Sequence, residues 1–160
     1  MNIFILDADP VKAAEQQCDK HVVKMCLETA QLLCTALHVH GTESQYKPTH
    51  KNHPCTKWAS ESRANYLWLC AHGLALCSEY TARYKKQHKC QSVIVRAKEL
   101  SGNIPQGPLT PFVQAMPDEY RHPDTIKAYR NYYTGEKLRF ATWKRNAPEW
   151  AITTEGLDYE

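Results

Sequence analysis

The 160-residue chain is 42% hydrophobic and 23% charged, which excludes a disordered polymer and leaves enough apolar residues to bury roughly two thirds of the unfolded surface. Its net charge of +3 permits a polyanionic partner without imposing one, so the placement of the cations matters more than their sum. Seven cysteines is an odd count, and Cys26, Cys34, Cys70 and Cys77 fall at apolar positions of helical patterns, so they read as reduced thiols.

The start, MNIFILDADP, lacks the basic residues and long apolar stretch of a secretory signal, and no run approaches 18 apolar residues. A cytoplasmic protein with no membrane partner is expected. NIFIL is either a strand or a terminal segment packed on helices. Asp9-Pro10 is a helix start and predicts a short helix over 10–17; Asp19 caps or punctuates the next one. Over 19–38, Val22, Met25, Cys26, Thr29, Leu33, Ala36 and Leu37 share an arc of roughly 120°, which predicts a long amphipathic helix ended by Gly41.

Residues 41–53 read as a polar loop. Pro54 opens a second long helix, predicted over 54–86 and expected to be the central packing element, with Gly73 a point of close helix contact or a kink. QSVIVRAKEL, 91–100, reads as helix. Residues 101–124 hold five of the nine prolines and read as an ordered loop anchored by Ile104, Leu109, Phe112, Val113 and Met116. Asp124 is placed to cap a last helix over 125–134, and Trp143 and Trp150 are expected to dock before the acidic end frays. The whole, 1–160, reads as one all-α domain, a compact set of helices with two long members and a proline-rich ordered loop.

The stretch CDKHVVKMCLE places polar groups where an apolar face should be narrowing. His21, Lys24, Glu28, Gln31 and Thr35 fall within about 80° of arc beside the apolar face, where a cleft would form. A partly desolvated lysine amine one turn from a carboxylate can attack a carbonyl or a sugar C1′ while the carboxylate moves protons, which makes Lys24 and Glu28 candidate catalytic residues. An exposed pair at this spacing worth roughly 0.3–0.5 kcal/mol is the plain alternative.

Cys18, His21, His50, His53 and Cys55 are numerous enough for tetrahedral zinc, but their spacing matches no established site, so neither a metal nor another cofactor is expected. Lys47, His50, Lys51, His53, Lys57 and Arg63 run through the loop into the start of the second long helix. With Lys20, His21 and Lys24 they would make a basic cleft for DNA or a nucleotide. Tyr46, Trp58, Tyr132, Tyr133 and Trp143 could stack bases in it, or serve the core.

The segments NIFILDADPVKAA, CDKHVVKMCLETAQLL, YKPTHKNHPCTKWASESRANYLWLC, LCSEYTARYKKQHK, TPFVQAMPDEYR and AYRNYYTGEK together resemble a family of small tailed-bacteriophage proteins. More distantly, Asp19-Lys20, Lys24 and Glu28, followed by Asn52-His53-Pro54 and Trp58, resemble pyrimidine dimer DNA glycosylases of the endonuclease V type. That resemblance implies an α-helical, metal-independent enzyme in which the amine of an N-terminal threonine attacks the sugar, assisted by a glutamate of the first helix. Residue 2 here is Asn2, whose bulk should keep Met1 in place. The threonine amine is thus absent, and Lys24 or Lys20 replaces it, or Glu28 works with water alone.

The resemblance implies a DNA glycosylase, with or without abasic lyase activity, acting on damaged or modified bases during phage infection in the host cytoplasm. Glu28 would be the acid/base, Lys24 the amine or an electrostatic stabiliser, and Lys20, His21, Asn52, His53, Lys57 and Arg63 the phosphate or base contacts. The alternative is a non-catalytic phage accessory protein that binds a host protein or a nucleotide.

Overall fold

Asp9 accepts hydrogen bonds from the amides of Val11 and Lys12, and Pro10 takes the first helical position, so helix α1 runs Pro10–Glu15. The computed structural model describes residues 1–152; the acidic end, 153–160, whose fraying the sequence suggests, lies outside the described residues. Helices α2 (Asp19–Val39), α3 (Pro54–Glu61), α4 (Arg63–Tyr84), α5 (Gln91–Glu99) and α6 (Thr125–Tyr132) follow. A π-turn, Tyr133–Lys137, extends α6. No β-strand occurs among the described residues, and the fold is all-helical.

Every residue of the apolar arc predicted on α2 is buried, from Val22 to Leu37. That helix packs on α3, α4 and α5, while α4 also packs on α1. By length and mean hydropathy α2 could cross a bilayer, but 67% of that stretch is buried inside the fold, so its apolar side chains serve as core. Gly73 is the point of closest approach: a Cβ there would stand 2.7 Å from Cγ2 of Thr29 on α2. All seven cysteines are free and buried.

The second long helix is not continuous. It breaks at Ser62, which adopts an extended conformation (φ −151°, ψ 155°) and caps α4 by accepting from the Asn65 amide. Periodicity carries straight through this point, so the sequence shows no stop. What permits the break is the proline-rich loop: the amides of Arg63 and Ala64 donate to Pro105 and Gly107, and the Ser62 hydroxyl donates to Pro108. Backbone groups freed by the break are therefore satisfied from more than 40 residues away.

The same loop is ordered as expected, with Ile104 buried and Phe112, Val113 and Met116 packed on the core, but Leu109 points outward. Trp143 and Trp150 both dock on Gln16 near the end of α1, through its carbonyl and its side-chain oxygen. Asp124 caps α6 as its position suggests. Asp19 does not cap α2. Its carboxylate instead accepts from Arg83, Thr142 and the Lys144 amide, tying the C-terminal segment to the start of α2.

Residues 1–6 form no strand. They thread as an irregular buried segment, with the Asn2 side chain donating to Ala115 and accepting from Tyr129 and Ile3. Phe4 takes a positive φ of 54°, a strained conformation for a bulky residue, and is held there by stacking on His21 at 4.2 Å. This segment occupies the ground beside α2 where the sequence suggests a cleft.

Candidate active site

The site is built from α2 upward. Its polar stripe puts Glu28 at the edge of the buried face, and Thr35, two turns on, anchors the 41–53 loop: its hydroxyl accepts from the Thr49 amide and has the Gln31 and Thr49 carbonyls within reach of its single proton, at 2.8 and 3.1 Å. The anchored loop turns tightly, the His53 amide donating to the His50 carbonyl, and delivers His53 to the start of α3. There His53 Nδ1 accepts from the Cys55 amide, so the neutral ring carries its proton on Nε2.

The amino group of Met1 comes to rest 3.5 Å from Oε1 of Glu28, the side chains of the two partners being 4% and 9% exposed. Lys24 Nζ lies 3.7 Å from the other carboxylate oxygen. Glu28 Oε1 is buried without a hydrogen-bond partner among the described residues. A buried oxygen in that state is either costly or used. His53 belongs to the same cluster, because its pKa is lowered first by burial and then by the Met1 ammonium and His50, while Glu28 opposes them. One amine and one carboxylate thus meet at the start of the chain, within electrostatic range of one imidazole.

Several expectations change. Lys24 is 67% exposed, so it is not the partly desolvated amine that its spacing suggests. His21, expected to touch phosphate or base, is buried: it stacks on Phe4 and its Nδ1 meets the Tyr133 hydroxyl, which also lies beside Cys18. Arg63 stands at the far end of α3, its guanidinium donating to the Ile104 and Gly102 carbonyls. Lys20, Asn52 and Lys57 are exposed, with Lys20 over the Phe140 ring at 5.0 Å. Trp58 and Tyr133 are core residues. Concavities of about 600 and 330 Å³ open beside α1, one of about 380 Å³ opens against Val23 and His88, and one of about 260 Å³ opens beside His38 and Tyr46; none of these four is lined by Glu28 or Lys24. Among the described residues no three Cys, His, Asp or Glu side chains group as metal ligands would.

A family model described as pyrimidine dimer DNA glycosylase matches residues 1–92. The chain belongs to that family. The matched region contains Met1, Glu28, Lys24 and His53, so the cluster at the start of the chain lies wholly inside the family's portion, and a DNA glycosylase-like function follows at the level of the family. Neither the curated proteins nor the solved structures contain a match. The Met1 amine, facing Glu28, is not among the site residues that the sequence singles out. Asn2 suggests that Met1 stays, and a retained Met1 brings an amine of its own.

Two buried histidines make the fold of this glycosylase-family protein acid-sensitive. Burial, then the charges of Lys137, Lys24 and Lys20, lower His21 from 6.5 to about 3. His72, lowered to about 4 by burial, donates from Nδ1 to the Pro10 carbonyl and accepts at Nε2 from Gln17, the pattern of a neutral ring. Between pH 6.5 and these values the unfolded chain binds protons that the folded chain does not. Stability is therefore unaffected above pH 6.5 and falls as pH drops towards 3, by up to about 1.4 kcal/mol per pH unit for each histidine. Urea midpoints from pH 7 to 4 should decline accordingly, and His72→Phe should reduce the slope; a flat profile would mean that neither ring is neutral in the fold.

Proposed function

We propose that this chain is a DNA glycosylase that attacks the damaged nucleotide with the amino group of Met1, Glu28 managing the protons. What supports this reading is the pairing of the Met1 amine with the buried Glu28 carboxylate within the family's matched region. Glu28 accepts a proton from the ammonium, and the free amine bonds to C1′. The C1′–base bond breaks with its electron pair leaving on the base, which takes up a proton. Ring opening then leaves an imine between the Met1 nitrogen and C1′, with a proton delivered to O4′. In the lyase half the Glu28 carboxylate takes a C2′ proton as the 3′ phosphate departs.

α-Amino groups as a class lose their proton about two pH units below lysine amines, so they supply more free base near neutrality. The Asn2 side chain, held by three hydrogen bonds, fixes where the Met1 backbone ends. Because Glu28 is buried, the reacting nucleotide must leave the duplex to meet it, as base-excision enzymes require. Lys24, exposed beside Glu28, then stabilises phosphate or the departing group. On the resemblance to tailed-phage proteins, its setting is the cytoplasm of an infected cell.

Lys24 is the second reading for the amine, since at 3.7 Å it lies only slightly farther from Glu28 than Met1 does at 3.5 Å. Borohydride reduction on abasic or ultraviolet-damaged duplex, followed by peptide mapping, separates them. The adduct is expected on Met1, retained in Lys24→Ala and lost when a glycine is added ahead of Met1. An adduct on Lys24 would reverse the assignment. No adduct on either DNA would exclude imine chemistry and favour water attack or a non-catalytic DNA, nucleotide or host-protein binder.

A further inference from the structure

The π-turn that ends α6 does something that an α-helical turn would not. Its extra residue, marked by the Leu138 amide donating to the Tyr133 carbonyl, re-aims everything after Tyr133. Tyr133 is fixed at the start of the turn, buried between Cys18 and His21. Gly135 lies under the Tyr120 ring, where a Cβ would collide with Cε1. The turn ends on Lys137, whose ammonium sits 4.8 Å from the centroid of Tyr132 and 5.9 Å from that of Phe4.

Those rings belong to one stack. Phe4 lies on His21 and, at 6.3 Å, beside Tyr132, so the rack carrying Lys137 grows from the same segment that positions Met1. Lys20 lies over Phe140, whose ring packs on that of His21 at 5.8 Å. Lys137, Lys24 and Lys20 all project positive charge onto His21, which is neutral and offsets none of it. Among the described residues no carboxylate stands within ion-pair distance of Lys137 or Lys20: Asp19, next to Lys20, is taken by Arg83, Thr142 and the Lys144 amide, and Glu136, next to Lys137, forms no ion pair with it. Seven residues of α2 separate His21 from Glu28, about 10 Å of rise. That is about three nucleotide steps of one DNA strand.

We propose that Lys137, aimed by the π-turn, forms with Lys20 a phosphate clamp that holds the DNA strand flanking the reacting nucleotide. The clamp rests on the glycosylase reading, and it gives the part of the chain beyond the matched residues 1–92 a direct place in the DNA site. Aromatic rings beneath the ammonium orient it without neutralising it, which suits a phosphate contact better than an ion pair would.

The test measures binding, not turnover: the full chain with a duplex carrying a tetrahydrofuran abasic analogue, its affinity followed from 50 to 200 mM salt. Lys137→Gln is expected to weaken binding and to reduce the slope of log K against log salt by about 0.9, the loss of one phosphate contact. Lys137→Arg should restore the slope. Lys20→Gln should remove a second increment. An unchanged slope in Lys137→Gln, or a Lys137→Arg variant as weak as Lys137→Gln, would overturn the clamp and leave the lysine a packing role. A wild type that binds the analogue but releases no base from any damaged duplex would sink the catalytic reading while leaving this one intact, provided the slope still changes.

Discussion

Glu28→Gln is expected to bind a damaged duplex as tightly as the wild type and to release base about 10²–10⁴ times more slowly in single turnover. The amide keeps the shape of the carboxylate and its place at the edge of the α2 apolar face. It cannot take the proton that the Met1 ammonium, 3.5 Å away, must lose before it can attack. Its oxygen still accepts a hydrogen bond, so the variant should fold. The expected signature is a fall in rate with dissociation constant and salt dependence unchanged. A rate within a few-fold of wild type would remove Glu28 from the chemistry; a loss of binding equal to the loss of rate would make it a contact residue.

Arg83→Met is expected to cost about 3–5 kcal/mol of stability, a shift of roughly 10 °C in Tm for a chain of this length. The Arg83 side chain is wholly buried and donates to Glu79 at 2.8 Å, to Asp19 at 3.0 Å and to the Glu15 carbonyl at 3.0 Å. Burial alone would raise the Glu79 pKa, but hydrogen bonds from Arg145 and Arg83 more than offset it and hold the carboxyl below its usual range. Without Arg83 two largely buried carboxylates face one another's field with only Arg145 and the Asp19 donors left. The deficit should shrink as pH falls, because the stranded carboxylates protonate. Arg145→Met, which removes a half-exposed partner, should cost less. Equal losses in the two variants would show that burial of Arg83 contributes nothing special.

The acidic residue of the Asp19-Lys20 pair shows why motif reading stops short. In sequence it stands next to the candidate site, and only the fold reveals that it fastens residues 142–144 to α2. Lys137 is the converse. Nothing local distinguishes it in TGEK, yet the π-turn and the rings of Phe4 and Tyr132 bring it to the N-terminal half of the same helix.

Short-range physics was legible throughout. Asp9 with Pro10 and Asp124 cap their helices because a side-chain oxygen and a fixed φ act within three residues. The apolar arc of α2 and the polar stripe beside it follow from 3.6-residue periodicity, and Gly73 marks a helix contact because no larger residue would fit against Thr29. The break at Ser62, the meeting of Met1 with Glu28 and the burial of His21 have no such local signature. Each depends on a partner far along the chain: loop carbonyls at 105–108 for Ser62, a left-handed Phe4 that seats the first residues on α2, and Tyr133 closing over His21. By itself the sequence determined which segments are helical and which residues share a face, because those follow from neighbours three and four positions apart. Which faces meet, and therefore which amine stands against the carboxylate, was decided only by tertiary packing.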